Sequence, residues 1–156
     1  MKQATWIFCT LLLLSGFTLG CGGEEKGLDG SQCELVDCSF DTLTCQLYAP
    51  PNEAIKIMYK RTLEDGGTEF AAIIIIDLDG VEQISGLEFE GQEFNERVMI
   101  YRTVDKAWGD FDGNGCEFKS GNKAGDTLEG KCSFAFDNGR FATANFKCTL
   151  EAAEPP

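Results

Sequence analysis

Six cysteines, Cys33, Cys38, Cys45, Cys116, Cys132 and Cys148, constrain the fold of this 156-residue chain more than any other feature. They form an even set with no C-x-x-C knuckle among them, and the chain has no histidine. Structural zinc sites draw on paired cysteines or histidines, so the set reads as three disulfides formed in an oxidising compartment. The absence of histidine also removes the usual general base, and with it any Ser-His-Asp or Cys-His nucleophile. No phosphate-binding loop or dinucleotide fingerprint occurs along the chain. Carboxylate chemistry or binding is what remains.

The segments between the cysteines alternate as strands do. Ile55, Ile57 and Tyr59 interleave with Lys56, Met58 and Lys60, and Leu87 and Phe89 with Glu88 and Glu90. The run from Phe70 to Leu78 is apolar in both phases and β-branched at four consecutive positions, which predicts a central strand covered on both faces. Glycine-rich punctuation at 66–67, 79–80, 91, 113–115, 121–125 and 138–139 is spaced for an antiparallel β-sandwich or small barrel, with most of the twelve phenylalanines in its core. No stretch of the body carries helical periodicity, and nothing divides it. The reading is an all-β, disulfide-stapled fold with a single domain at 32–150, followed by an acidic, proline-bearing tail at 151–156.

The last hairpin can be read to its register. Leu128, Cys132, Phe134 and Phe136 share one phase, and Ala142, Ala144, Phe146 and Cys148 share the phase of the returning strand. A two-residue Asn-Gly turn would put these sets on opposite faces of the sheet. A three-residue loop, Asp137 to Gly139, pairs Phe134 with Ala142 and Cys132 with Ala144 and keeps both sets on one face. Cys132 and Cys148 then lie about 13 Å apart at roughly 3.3 Å per residue, too far to bond. Cys132 is predicted to pair with Cys116, equidistant from Ala124 across a turn-rich stretch. Cys148 is predicted to reach one of Cys33, Cys38 and Cys45, leaving the other two to pair locally.

Ahead of the body, Met1-Lys2-Gln3 leads into an uncharged apolar run from Ala4 to Leu19. One basic residue before a stretch too short to span a bilayer predicts a signal-peptide helix over residues 1–20. Thr18-Leu19-Gly20-Cys21 resembles the lipobox of bacterial lipoproteins. Gly20 and Cys21 match it, whereas Thr18 stands where leucine is most frequent and Leu19 where a small residue is usual. The resemblance implies cleavage between Gly20 and Cys21 and lipid attachment at Cys21; an ordinary secretory signal and an uncleaved anchor are the alternatives. Cys9 then leaves with the signal and Cys21 carries lipid, so the six-cysteine set stays even. Residues 21–31, glycine-rich and charged, read as a flexible tether of about 17 Å. Gly22 is not the aspartate that holds some lipoproteins in the inner membrane, which points to the outer membrane.

Without residues 1–20 the chain has 12 basic and 26 acidic residues, a net charge of −14. Such a surface repels nucleic acid and anionic headgroups. Glu82, Glu88, Glu90, Glu93 and Glu96 read as a solvated strand face, with a glycosidase-like acid pair as the alternative. Trp108, Tyr101 and Phe111 read as core or rim packing, with a platform for sugar or peptide as the alternative. Asp110, Asp112 and Asn114 sit at the first, third and fifth places of a calcium loop with Gly115 at the sixth, but Gly121 occupies the twelfth place, where a bidentate glutamate belongs. A connection between strands explains the same letters; a Ca2+ turn completed by Asp105 or Glu117 is the weaker alternative, and no cofactor is expected.

These readings converge on a lipid-anchored protein of the bacterial cell envelope, attached to the membrane through its N-terminal lipid. Its β domain binds an unknown protein or glycan ligand, or serves envelope structure, without catalysis. A calcium-dependent or carbohydrate-binding adhesion module, a carboxylate-dependent hydrolase and a secreted inhibitor are the rivals.

Overall fold

Period-2 alternation persists through nearly every strand, and it folds the body as one curled sheet, a half-barrel with its apolar side chains on the concave face. The computed structural model describes residues 27–102 and 108–153. The signal segment, the lipobox, residues 22–26, Asp105 and the last three residues fall outside them. The strands are β1 (Gly27–Asp29), β2 (Thr42–Tyr48), β3 (Ala54–Thr62), β4 (Thr68–Asp77), β5 (Glu88–Glu90), β6 (Val98–Tyr101), β7 (Phe111–Ser120), β8 (Thr127–Phe136) and β9 (Phe141–Ala153), with α1 (Gly91–Arg97) between β5 and β6. Their order across the sheet is β5-β7-β8-β9-β2-β3-β4-β6, with β1 also pairing β9.

The predicted hairpin register is present. Phe134 faces Ala142 and Cys132 faces Ala144, and Gly139 takes the left-handed φ of 76° that the three-residue loop needs. Phe118 and Phe146 lie on either side of Gly130 in the ladder, and their rings meet 5.7 Å apart. Only glycine fits at 130, because a Cβ there would stand 2.4 Å from the Glu117 carbonyl oxygen and 2.7 Å from the Phe146 ring.

All six cysteines of the body are bridged. Cys116 bonds Cys132, directly opposite it in the β7–β8 ladder, Cys148 bonds Cys45, and Cys33 bonds Cys38. Cys45, Cys116 and Cys132 are buried in the core, so two bridges lie inside the half-barrel. β4 runs between β3 and β6, with Ile74 and Ile76 on the concave face and Ile73 buried on the other.

Four features depart from the sequence expectations. β9 pairs β2 in parallel, from Cys45 opposite Leu150 to Tyr48 opposite Ala153, so the sheet is not wholly antiparallel and 151–153 belong to a strand instead of a tail. β1 occupies residues read as tether, aligning Gly27 to Asp29 with Asn145 to Thr143 on the stretch of β9 that β2 leaves open. Residues 91–97 form a helix; with Phe94 its one buried side chain, it is too short to show a period. Glu93 and Glu96 therefore sit on α1 and only Glu88 and Glu90 on a strand, while Glu82 lies in the preceding connection.

Candidate functional site

Trp108 belongs to the core. It is buried, stacks 5.9 Å from Phe136, and donates its indole N–H to the Ala71 carbonyl at 3.0 Å. Ala71 is the extra residue where the β3–β4 register shifts, since Tyr59 faces Ala72 and Lys60 faces Phe70. A bulge frees a carbonyl from the ladder, and Trp108 satisfies it. Phe111 and Tyr101 are half-buried, Phe111 packing edge-on against Phe94 and Phe134.

Asp110 lies in the connection ahead of β7, whereas the rest of the Asp-rich stretch is part of that strand and not of a turn. Asp112 and Gly113 form a bulge near the start of β7, where the register to β8 shifts between Phe111 and Asn114, and Asn114 resumes the ladder opposite Phe134. Gly113 and Asn114 both take positive φ. Asn95 of α1 holds the bulge from both sides, donating to Asp112 at 3.1 Å and accepting from the Gly113 N–H at 3.0 Å. Among the described residues no group of three acidic or cysteine side chains converges as cation ligands would.

Glu88 and Glu117 stand directly opposite each other across β5 and β7, with Lys131 beside Glu117 on β8. Together with Glu90 they border a hollow of about 610 Å³ on the outer face. Both members of the pair are exposed. A second hollow of about 330 Å³ lies where β2 and β9 end, walled by Leu47, Leu78, Val81, Ile84 and Ala153, with Glu53 and Glu82 also on its lining.

At the opposite end of the ion-pair scale, Glu69 bridges two arginines. Arg102, 4% exposed at its side chain, reaches it at 2.7 Å, and Arg61 bonds both Glu69 and Asp37. These hydrogen bonds hold the Glu69 carboxyl below its ordinary value of 4.5. Burial pushes the Tyr59 phenol upward; its hydroxyl donates to the Asn145 carbonyl at 2.8 Å.

The sheet ends at β6, and β6 carries the least expected feature. β5 covers only Gly115 to Glu117 of β7, so the start of β7 faces β6 across a gap. The gap holds a cavity of about 360 Å³, lined by all of β6 together with Asn95, Gly109, Asp110 and Phe111. The Val98 N–H is taken by the Phe94 carbonyl at the end of α1. Val98 therefore faces away from its β4 neighbour Ile76, and by the alternation of antiparallel ladders Ile100 does the same while Met99 and Tyr101 bond β4. The N–H and C=O of Ile100 point into the gap. Met99, on the outer face, is 56% exposed.

No family model, curated protein or solved structure matches this chain.

No signal in the sequence marks this edge. Val98 to Tyr101 reads as four ordinary strand residues, and which edge of a strand stays open depends on its neighbours.

Proposed function

We propose that this chain is exported, lipidated at Cys21 and held at the bacterial envelope, on the outer membrane, where its β domain works by binding. The disulfide pairing carries the reading. Cys33, Cys38, Cys45, Cys116, Cys132 and Cys148 use one another completely, as suits a domain matured in an oxidising compartment. Once the signal with Cys9 is removed, Cys21 is the one cysteine outside those bridges, and lipidation is the chemistry that employs it. β1 takes Gly27–Asp29 into the sheet, so these residues belong to the domain and not to the tether. The open sheet edge and the hollows at its margins support binding as the mode of action.

The reading predicts that the protein incorporates labelled palmitate, partitions into detergent, and accumulates as precursor when the lipoprotein signal peptidase is inhibited. Retention of label and partitioning by Cys21→Ser would overturn the anchor. Pull-down with the intact protein from solubilised envelopes tests the binding role: a specific partner supports it, and recovery of the protein alone opposes it.

A further inference from the structure

We infer that the free edge of β6 is a strand-addition site for an extended, lysine- or arginine-bearing segment of another protein. The inference rests on the binding role proposed above and names the surface and the partner chemistry.

Three observations meet at this edge. The main chain of Ile100 offers one donor and one acceptor into the gap, and among the described residues neither has a partner. Buried main-chain polar groups are seldom left unpaired, and an added strand satisfies a donor and an acceptor on one residue together. The outer face beside the edge is apolar, with Met99 opposite Ile75 and Tyr101 opposite Ile73. Side chains of an incoming strand at the matching phase would cover Met99.

The third observation sets the partner's charge. Asp110 borders the cavity and is exposed, and no described cation pairs with it. Asp112 accepts from the Asn95 amide, and Glu96, next to Asn95 in the chain, from the Gln92 amide; both carboxylates are exposed, and among the described residues no cation pairs with either. Arg97, on the same helix as Asn95 and Glu96, is held by Glu93 and by the carbonyls of Asp77 and Asp79. Three carboxylates with which no described cation pairs, near an apolar face and an open main-chain edge, fit an extended segment that alternates apolar and basic residues. A second copy of this chain, with net charge −14 after signal removal, would bring more acid to the same place.

The probe is an eight-residue peptide alternating valine and lysine, compared with its glutamate-for-lysine counterpart and with a fully N-methylated lysine peptide that cannot donate from its main chain. Each is titrated into the full mature chain, oxidised and held in detergent, with amide exchange read by NMR. In the free protein the amides of Met99 and Tyr101 exchange slowly and that of Ile100 quickly; the lysine peptide slows Ile100 by about tenfold or more. The two control peptides do not. Met99→Lys weakens the lysine peptide about tenfold, and Asp110→Asn weakens it severalfold and flattens its salt dependence. Slow exchange at Ile100 before any peptide is added would show that the edge is already paired. Equal binding of the N-methylated peptide, no binding of the lysine peptide, or β6-to-β6 contacts in a dimer would each overturn the inference. An envelope partner that is captured equally by the Met99→Lys protein would leave the binding role intact and remove this site.

Discussion

At the scale of single residues, the molecule is most sensitive where one backbone approaches another. Gly130 takes no unusual dihedral; it is needed because the Glu117 carbonyl and the Phe146 ring close over the place where a Cβ would stand. Gly130→Ala forces either the β7–β8 ladder or the Phe146 ring to move, and overpacking of this kind costs about 1–3 kcal/mol. Urea unfolding should show a lower midpoint with an unchanged slope; an unaltered midpoint would mean that the ring shifts without cost. Period-2 phase alone places Gly130 on the inward face between Leu128 and Cys132. What fills the space above it comes from β7 and β9 together and could not be read from β8.

Among elements, the ends of β3, β4 and β6 are tied by charge. Arg61 lies on β3, Glu69 opposite it on β4, and Arg102 just after β6, so the carboxylate joins the ends of three neighbouring strands. The pH dependence follows from its depressed pKa. In the unfolded chain Glu69 protonates near 4.5, whereas in the folded chain it stays ionised to lower pH. Its contribution is therefore whole above about pH 4.5 and is lost as pH falls through the depressed folded value. Glu69→Gln should be less stable than the parent at neutral pH, and the two should converge as pH falls through the depressed folded value. Denaturation midpoints at several pH values check this, and parallel curves would assign the acid response to other carboxylates. The hairpin of β8 and β9 was legible in advance because its loop, its apolar phases and its cysteines all lie within 25 residues or so. The helix α1 was not, since seven residues with one buried side chain carry no measurable period.

Across the whole molecule, the Cys45–Cys148 bridge joins the second strand to the last over a sequence separation of 103 residues. Closing so long a loop restricts the unfolded chain by about 4.7 kcal/mol in the chain-entropy account, against about 3 kcal/mol for a loop the size of that closed by Cys116–Cys132. Replacing Cys45 and Cys148 together by alanine should therefore lower stability more than replacing Cys116 and Cys132. Guanidinium unfolding of the two double variants decides it, and the reverse order would place the stabilisation in the native state. Parallel pairing of β2 and β9 beside this bridge makes the larger loss also a loss of sheet continuity.

The split between what was legible and what was not follows the range of the interactions. Alternation in β3, the all-apolar β4, the three-residue loop at Asp137 to Gly139 and the Cys116–Cys132 bridge are properties of contiguous chain, where side-chain phase and turn chemistry act within a few residues. They were present in the letters. The location of β1 on β9, the parallel β2–β9 seam, the carbonyl of Ala71 waiting for Trp108 and the open edge at Ile100 are different in kind. Each is a main-chain hydrogen-bonding group whose partner is set by which distant segment lies beside it. Every residue but proline carries the same main-chain donor and acceptor whatever its side chain, so those partnerships leave little mark on the sequence and were settled by folding of the whole chain.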